Sequence, residues 1–194
     1  MNRKRLELAK TVFFCCDVQE RLRQSILKFP HVVYTAQSLV KVGNMLSIPL
    51  IVTEQYPKGL GRTVAELDVS SGKVFEKGQF SMLTDEVNRE LDQIGKSQVV
   101  LFGIEAHVCI LQTTLDLLDS GREVFLVTDG ISSSSAIDRS AALARMQHAG
   151  AVVTTMGSVL MELIRTKDHP DFKAISQILK DSKSNLPSEP LSSL

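Results

Sequence analysis

The sequence lacks the charge bias that marks proteins that bind nucleic acids or anionic membranes. Lys and Arg together number 22, as do Asp and Glu, so the formal net charge is zero. It also lacks any uninterrupted apolar run long enough to span a bilayer. The sequence therefore predicts that neither a nucleic acid nor a membrane is a partner.

Cysteine is also scarce, and three cysteines do not make a disulfide framework. Cys15 and Cys16 are adjacent, so in a strand their side chains point to opposite faces, and Cys109 lies far along the chain. This usage predicts a reducing compartment, with cytoplasm as the default. Mitochondria and peroxisomes stay open as alternatives. The terminal Ser-Ser-Leu only partly matches the peroxisomal Ser-Lys-Leu signal.

Motifs for metals and phosphates are missing as well. The four histidines show no pair with metal-site spacing, and neither GxxxxGK[ST] nor GxGxxG occurs. His107 stands two residues before Cys109, and residues at that spacing do not face each other on a helix. The sequence therefore predicts no metal, no cofactor and no Cys-His dyad.

What is present is a regular alternation of strand-like and helix-like segments in a chain of 194 residues, 43% of them hydrophobic. Apolar runs predict six strands, at residues 11–17, 48–55, 73–77, 97–103, 122–129 and 151–155. Helical periodicity occupies the segments between them, notably residues 36–47, 85–94, 109–120 and 138–148. We expect a short N-terminal segment (1–10), one domain (11–180) and a disordered Ser/Pro-rich tail (181–194).

This alternation predicts an α/β fold with three α/β/α layers, a doubly wound, Rossmann-like parallel sheet. In such folds the ligand binds outside the carboxyl ends of the strands. Three residues stand at predicted strand ends or just after one: Asp17, Lys77 and Cys109.

Each of the three has a functional and a structural interpretation. Asp17 follows the apolar run FFCC, so its carboxyl is either a desolvated proton-transfer group or a cap for the next segment. Lys77 precedes Gly78, which by itself is more typical of a solvated loop charge. Cys109 is predicted in the first turn of a helix, whose free N–H groups stabilise a thiolate and an oxyanion. It is otherwise a buried core cysteine.

Two local patterns complete the prediction around Cys109. Its helix has an expected apolar stripe at residues 108, 111, 115 and 118 and an expected polar face at Gln112, Asp116 and Asp119, with Gly121 after its end. The serines at 132–135 are expected to cover a loop and to lead into a helix capped near Ser135 or Asp138.

These residues together resemble a known family. The stretches FFCCDVQERLR, IPLIVTEQYPKGLG, KGQFSM, LFGIEAHVCILQTTLDLLDSG and AIDRSAALARMQHAGA are similar to those of the isochorismatase-like hydrolases. That superfamily of cysteine hydrolases includes nicotinamidases and N-carbamoylsarcosine amidases. The resemblance covers residues from about 11 to 180, including the order and spacing of all three candidate residues.

The resemblance implies a six-stranded parallel sheet in the order 3-2-1-4-5-6 and a catalytic triad of Asp17, Lys77 and Cys109. It also implies a cis peptide bond between Ile104 and Glu105. In the family, this bond turns the N–H of Glu105 toward the substrate beside the N–H of Cys109, which forms an oxyanion hole. Relatives are commonly homo-oligomers, so a dimer or tetramer is expected.

The chain departs from parts of the superfamily in two ways. Metal-binding nicotinamidases carry an Asp-x-His and a second His after strand two, where this chain has Glu54 and Gln55. Enzymes that cleave isochorismate lack the cysteine nucleophile, which is present here as Cys109. Both departures favour metal-independent chemistry at sulfur.

The resulting hypothesis is a metal-independent cysteine hydrolase that cleaves a small amide or related acyl compound through a thioester. Gln55, Tyr56, Phe80 and Ile104 are predicted to line the substrate pocket, because each lies within a few residues of a strand end. Three alternatives remain open at this stage: a binding or regulatory protein with little turnover, a redox-sensing thiol, and a hydrolase of vinyl ethers of the isochorismatase type.

Overall fold

The computed structural model describes residues 4–185, and within this range strands and helices alternate as the sequence predicts. The strands are β1 (Thr11–Cys16), β2 (Leu50–Gln55), β3 (Lys73–Lys77), β4 (Gln98–Ile104), β5 (Glu123–Ser132) and β6 (Val152–Thr154). The α-helices are α1 (Phe29–Met45), α2 (Pro57–Leu60), α3 (Asp85–Ile94), α4 (Leu111–Asp119), α5 (Ala136–His148), α6 (Met156–Ile164) and α7 (Phe172–Asn185). Short 3₁₀ turns occupy Leu8–Lys10 and Glu20–Leu22.

The six strands form one parallel sheet in the order β3-β2-β1-β4-β5-β6. This confirms the predicted fold class and the strand order that the resemblance implies. The order reverses between β1 and β4, which pair from Thr11 with Gln98 to Cys16 with Gly103. The carboxyl ends of these two central strands therefore form the crevice where ligands bind in doubly wound sheets.

Two apolar clusters cover the two faces of the sheet, because successive strand side chains alternate between faces. One cluster contains Phe13 and Cys15 together with residues of α1, α6 and α7. The other contains Phe14 and Cys16 together with residues of α3, α4 and α5. The adjacent cysteines thus lie on opposite faces, as the sequence predicts, and all three cysteines are free.

The first helix begins earlier than predicted, at Phe29 and not at residue 36. Pro30 occupies its first turn, where a missing N–H removes no helical hydrogen bond. Lys28, just before it, has a left-handed backbone (φ 52°) that turns the chain into the helix. The apolar stripe therefore extends through Phe29 and Val32, which are buried.

Cys109 does not lie in the first turn of an α-helix, which corrects the sequence prediction. It lies in a five-residue π-helical turn, Ala106–Ile110, and α4 follows at Leu111. The fully buried face of α4 is Thr113, Thr114 and Leu117, whereas the predicted stripe at 108, 111, 115 and 118 is only half-buried. The two threonines tolerate burial because their hydroxyls donate to the carbonyls of Cys109 and Ile110, at 2.6 and 2.8 Å.

Helix ends elsewhere follow the predicted chemistry. The Thr84 hydroxyl accepts from the N–H of Val87 at the start of α3, and Gly95 ends that helix with φ 65°. The Ser135 hydroxyl accepts from the N–H of Asp138 at the start of α5. The prediction for the serine-rich loop is therefore confirmed at Ser135, although β5 continues to Ser132, past the predicted end at 129.

The N-terminal segment packs onto the domain from Leu6 onward. Leu6 is fully buried in the first core cluster, and its N–H donates to the Glu162 carboxylate at 2.9 Å. At the other end α7 continues through Asn185, so the predicted disorder does not begin at 181, and residues 186–194 of the predicted tail lie outside the described range. Within residues 4–185 no helix has the length and apolarity that a bilayer crossing needs.

Gly103 fixes how closely β4 approaches β1 at the crevice. Its φ is 123°, and a Cβ there would lie 2.1 Å from the carbonyl oxygen of Cys16 and 2.8 Å from its nitrogen. Both contacts are with backbone, so neither is relieved by a side-chain rotation. Only glycine therefore allows this register between the two central strands.

Gly103→Ala is expected to lower the free energy of unfolding by about 3 kcal/mol or more, because it combines an unfavourable φ with overpacking against backbone. The matched control is Gly78→Ala, where a Cβ meets nothing within 4 Å. Urea unfolding of both variants measures the difference. Equal stability of the two would contradict this account of the strand contact.

Candidate active site

The three candidate residues meet at the carboxyl edge of the sheet. Asp17 follows β1, Lys77 is the last residue of β3, and Cys109 lies in the π-helical turn after β4. The Lys77 Nζ lies 2.7 Å from Asp17 Oδ2 and 3.5 Å from Cys109 Sγ. All three side chains are buried or nearly so, with at most 6% of each residue exposed.

Asp17 is oriented by its backbone and by β2. Its φ of 51° is in the left-handed region, which Asp tolerates better than most residues. Its N–H donates to the Thr53 carbonyl at 3.1 Å, and the Thr53 hydroxyl donates to Asp17 Oδ1 at 2.7 Å. The carboxylate is therefore held with one oxygen on Thr53 and the other toward Lys77.

Lys77 provides the positive charge of the site. Its ammonium also donates to Gln55 Oε1 at 2.7 Å and to the carbonyl of Phe80 at 2.8 Å. Burial alone lowers the pKa of a lysine, but the neighbouring Cys16, Asp17 and Cys109 outweigh it, and the net result is a raised pKa for Lys77. The side chain therefore stays an ammonium at neutral pH and favours negative charge on its neighbours.

Cys16 belongs to the same cluster, although its sequence position had suggested only a strand residue. Its Sγ donates to Asp17 Oδ2 at 3.5 Å, and the Sγ atoms of Cys16 and Cys109 and a carboxylate oxygen of Asp17 all lie within 4.8 Å of one another. Burial, the hydrogen bond with Cys109 and the charge of Asp17 raise the pKa of Cys16. The signal in the sequence that could have identified Cys16 is its position in the strand directly before Asp17.

Such a set of two thiols and a carboxylate has the composition of a metal site, but its surroundings do not fit a cation. The ammonium of Lys77 already contacts both Asp17 and Cys109, so a metal ion there would lie against a buried positive charge. The charge that a metal would supply is present as Lys77.

The segment after β2 is held by polar contacts within the protein. Glu54 is 3% exposed and accepts from the N–H and hydroxyl of Thr63, at 2.7 and 2.9 Å. Arg62 bridges Glu54 and Glu76, at 2.8 and 2.6 Å. These contacts hold the loop that follows Leu60, and they occupy the Glu54 carboxylate with Thr63 and Arg62.

A cavity of about 140 Å³ opens onto Asp17 and Cys109. Of the predicted pocket residues, Gln55, Phe80 and Ile104 line it, and so does Glu105. Tyr56 is not among the lining residues and is 61% exposed, with its ring over Gly59. Its left-handed backbone (φ 37°) turns the chain away from the crevice as α2 begins.

Sequence reasoning missed three further lining residues, Leu22, Leu60 and Val108. Leu22 ends a 3₁₀ turn and Leu60 ends α2, and both elements are too short for periodicity to predict which side chains reach the cavity. Val108 was assigned to the apolar stripe of a regular helix. The π-helical geometry of Ala106–Ile110 instead presents it to the cavity.

The edge formed by Glu105 is held by the serine-rich loop. The Glu105 carboxylate accepts from the N–H and hydroxyl of Ser134 at 2.8 and 2.7 Å, and His107 Nδ1 lies 3.0 Å from the Ser133 hydroxyl. His107 is thus engaged away from Cys109, in agreement with the argument against a dyad. The peptide bond between Ile104 and Glu105 is cis.

Comparison with known proteins adds independent information. Residues 11–158 match the isochorismatase domain family. Isochorismatase domain-containing protein 1 of Salmo salar is 50% identical over 176 residues, which are 90% of this chain and 62% of that protein. The chain therefore spans less than two thirds of that relative's length.

Two solved structures share the fold closely. The MAR1 ribonuclease of Caenorhabditis elegans has a TM-score of 0.89 and 40% identity, covering 98% of this chain and all of the other. YcaC of Pseudomonas aeruginosa, solved with hexane-2,5-diol and covalent acrylamide, has a TM-score of 0.87 and 27% identity, with 96% of each chain covered. The names of these relatives point to more than one activity.

Replacing Lys77 tests whether the buried ion pair holds the site together. Lys77→Met is expected to lower the free energy of unfolding by about 3–5 kcal/mol, because it leaves the Asp17 carboxylate buried without its partner. Lys73→Met is the matched control on the same strand, since Lys73 is 62% exposed and its pair with Glu90 contributes at most about 1 kcal/mol. Chemical denaturation measures both. A small, equal effect would show that the pair is not structurally important.

Proposed function

The chain belongs to the isochorismatase family, and from that premise we propose that it is a metal-independent cysteine hydrolase that cleaves a small amide or related acyl compound. One observation carries the proposal: a buried ammonium, Lys77 Nζ, contacts both the Asp17 carboxylate and the Cys109 thiol. A nucleophile, a proton acceptor and a fixed positive charge are what acyl transfer to sulfur needs.

The first step is removal of the thiol proton. A carboxylate oxygen of Asp17 lies within 4.8 Å of Cys109 Sγ, and Asp17 is the proton acceptor in this scheme. The ammonium of Lys77 favours the thiolate that results, because opposite charges attract strongly in a buried site. Thr53 keeps the other carboxylate oxygen in place, so proton transfer requires no large movement of Asp17.

Attack on the substrate carbonyl then places negative charge on the carbonyl oxygen. We assign the stabilisation of this oxyanion to the backbone N–H groups of Glu105 and Cys109, a contribution on the order of 3–4 kcal/mol per donor in comparable sites. Asp17 returns its proton to the leaving group, a thioester on Cys109 forms, and water releases the acid with Asp17 again as the proton acceptor.

The acrylamide bound covalently in YcaC supports, by analogy, a site of this fold that accepts a small amide and reacts with an electrophile. Acrylamide is an electrophile that reacts with thiolates, and it is also a small amide. A relative at 27% identity with the same fold therefore holds a compound of the type that we propose for this chain.

The name MAR1 ribonuclease suggests a second activity, but the cavity does not favour it. A phosphodiester substrate carries negative charge and is normally held by several cations. Among the residues that line the cavity there is no Arg or Lys, and Lys77 behind it is paired with Asp17.

Three expectations from the sequence remain predictions. They are the alternative of a binding protein with little turnover, the assembly into a dimer or tetramer, and the cytoplasmic compartment.

Trapping the acyl-enzyme tests the proposal. During turnover of a primary amide, intact-mass analysis is expected to show the acyl group on the protein, and hydroxylamine is expected to remove it. Cys109→Ser is expected to lose about a thousandfold or more in kcat/KM, because the nucleophile is removed while the fold is kept. Cys15→Ala, which alters the other face of the sheet, is expected to retain activity. Full hydrolysis by the Cys109→Ser variant would refute the mechanism.

A further inference from the structure

We propose that the group attached to the reacting carbonyl of the substrate is uncharged and apolar and has no more than about six non-hydrogen atoms. This inference rests on the proposed function for the reaction itself, but not for the selectivity of the cavity. It follows from the size, the lining and the charge of the space in front of Cys109.

The size of the cavity sets an upper limit. Its volume of about 140 Å³ is close to that of a cavity of roughly 150 Å³ lined by Leu, Ile and Phe that binds benzene in another protein. A ring or branched chain of that size fills it, whereas a bicyclic or nucleotide-sized acyl group does not.

The lining sets the polarity. Five of the nine lining residues are apolar and come from separate parts of the chain: Leu22, Leu60, Phe80, Ile104 and Val108. Each CH₂ that the substrate buries against them is expected to raise kcat/KM about fourfold, the equivalent of ~0.8 kcal/mol. The preference should therefore increase with chain length until the cavity is full.

The polar lining groups do not offer a partner for a charged substrate. The Gln55 amide is engaged at both ends, with Lys77 and with the carbonyl of Gly78 at 2.8 Å, and the Glu105 carboxylate is bound by Ser134. A substrate carboxylate would face two protein carboxylates, Asp17 and Glu105, without a free cation. Isochorismate carries two carboxylates and is disfavoured on the same ground.

The test compares butyramide with succinamate, which has the same carbon chain with a terminal carboxylate. Ammonia release is expected to rise from acetamide through propionamide to butyramide, and butyramide is expected to exceed succinamate by at least about a hundredfold in kcat/KM. Benzamide should be accepted and naphthamide rejected. Isochorismate is included as a dianion, and it is expected to be a poor substrate for the same reason as succinamate.

A second readout does not depend on turnover. The same compounds are tested for protection of Cys109 against iodoacetamide, followed by peptide mass analysis. Neutral apolar amides are expected to protect Cys109 from alkylation, whereas succinamate is expected to leave it unprotected. Protection without hydrolysis would support the selectivity and refute the hydrolase, whereas equal or better use of succinamate, or protection by none of the compounds, would overturn the selectivity.

A designed change in charge gives a matched pair of variants. Leu60→Lys places an ammonium at the cavity wall and is expected to shift preference toward succinamate by at least tenfold. Val74→Lys makes a similar change on the exposed side of β3, away from the cavity, and is expected to leave the preference unchanged. Identical preferences in both variants would show that the lining does not select the substrate.

A different observation carries a second inference, a modification site at the pair of thiols. We infer that a hydroperoxide converts Cys109 and Cys16 to a reversible disulfide. The two Sγ atoms lie within 4.8 Å of each other, so an S–S bond of about 2 Å requires them to approach by less than about 3 Å. Cys109 lines the cavity that a small peroxide can enter, and Cys16 lies directly behind it.

The chemistry is balanced by the peroxide. The Cys109 thiolate attacks the terminal peroxide oxygen, the O–O bond breaks, and the sulfur is oxidised to a sulfenic acid. The leaving oxygen takes the proton that Asp17 removed from Cys109 and departs as an alcohol or water. The Cys16 sulfur then attacks the Cys109 sulfur, the S–O bond breaks, and hydroxide leaves as water with the Cys16 proton. Asp17, 3.5 Å from Cys16 Sγ, is placed to relay that proton. An external dithiol reduces the disulfide again.

Peptide mapping of the whole protein after hydrogen peroxide tests this inference without any activity measurement. The expected product is a peptide pair linked through Cys16 and Cys109 that dithiothreitol separates. In Cys16→Ala, Cys109 is expected to proceed to the irreversible sulfinic acid, whereas Cys15→Ala should behave as the unmodified chain, because Cys15 lies on the other face. Sulfinic acid at Cys109 in the unmodified chain, without a linked pair, would overturn the inference.

Discussion

The buried contact between Lys77 and Asp17 is the interaction on which the site depends. It joins the end of an edge strand, β3, to the end of a central strand, β1, across β2, and Gln55 of β2 supports the ammonium from between them. A buried ion pair has a large desolvation penalty and contributes little net stability by itself. Its presence at a strand edge, with a thiol as the third neighbour, is therefore better explained by chemistry than by folding.

The sheet determines why these groups meet. Strand order reverses between β1 and β4, and at that point Gly103 lets the two backbones approach closely enough for Cys16 and the turn after β4 to share one space. The π-helical turn Ala106–Ile110 then places both Cys109 and Val108 at the cavity. Thr113 fixes this turn from below, since its hydroxyl donates to the Cys109 carbonyl and accepts from the N–H of Met82 at 2.9 Å.

Much of this arrangement could be predicted from the sequence, because its signals are local. The alternation of strands and helices, the bounds of β3, and the caps at Thr84 and Ser135 follow from periodicity and side-chain chemistry over a few residues. The strand order and the pairing of Asp17, Lys77 and Cys109 as one site came from the resemblance. Leu22 and Leu60 were missed because each ends a short helical turn that no periodicity predicts. Tyr56, expected in the pocket, is exposed and is not among the residues that line the cavity. The π-helical turn has no periodic signature.

The composition of the site also separates the chemistries that one fold can host. Cleavage of a vinyl ether such as isochorismate needs a carboxylic acid that protonates carbon, and a thiolate beside it would compete for that proton. Here the carboxylate accepts hydrogen bonds from an ammonium and a threonine hydroxyl, which places it as an acceptor beside the sulfur. The sulfur lies next to the same ammonium, in a cavity whose walls are mainly apolar. Those conditions suit a base and a nucleophile acting on a neutral carbonyl, and they are unfavourable for an acid acting on a dianion.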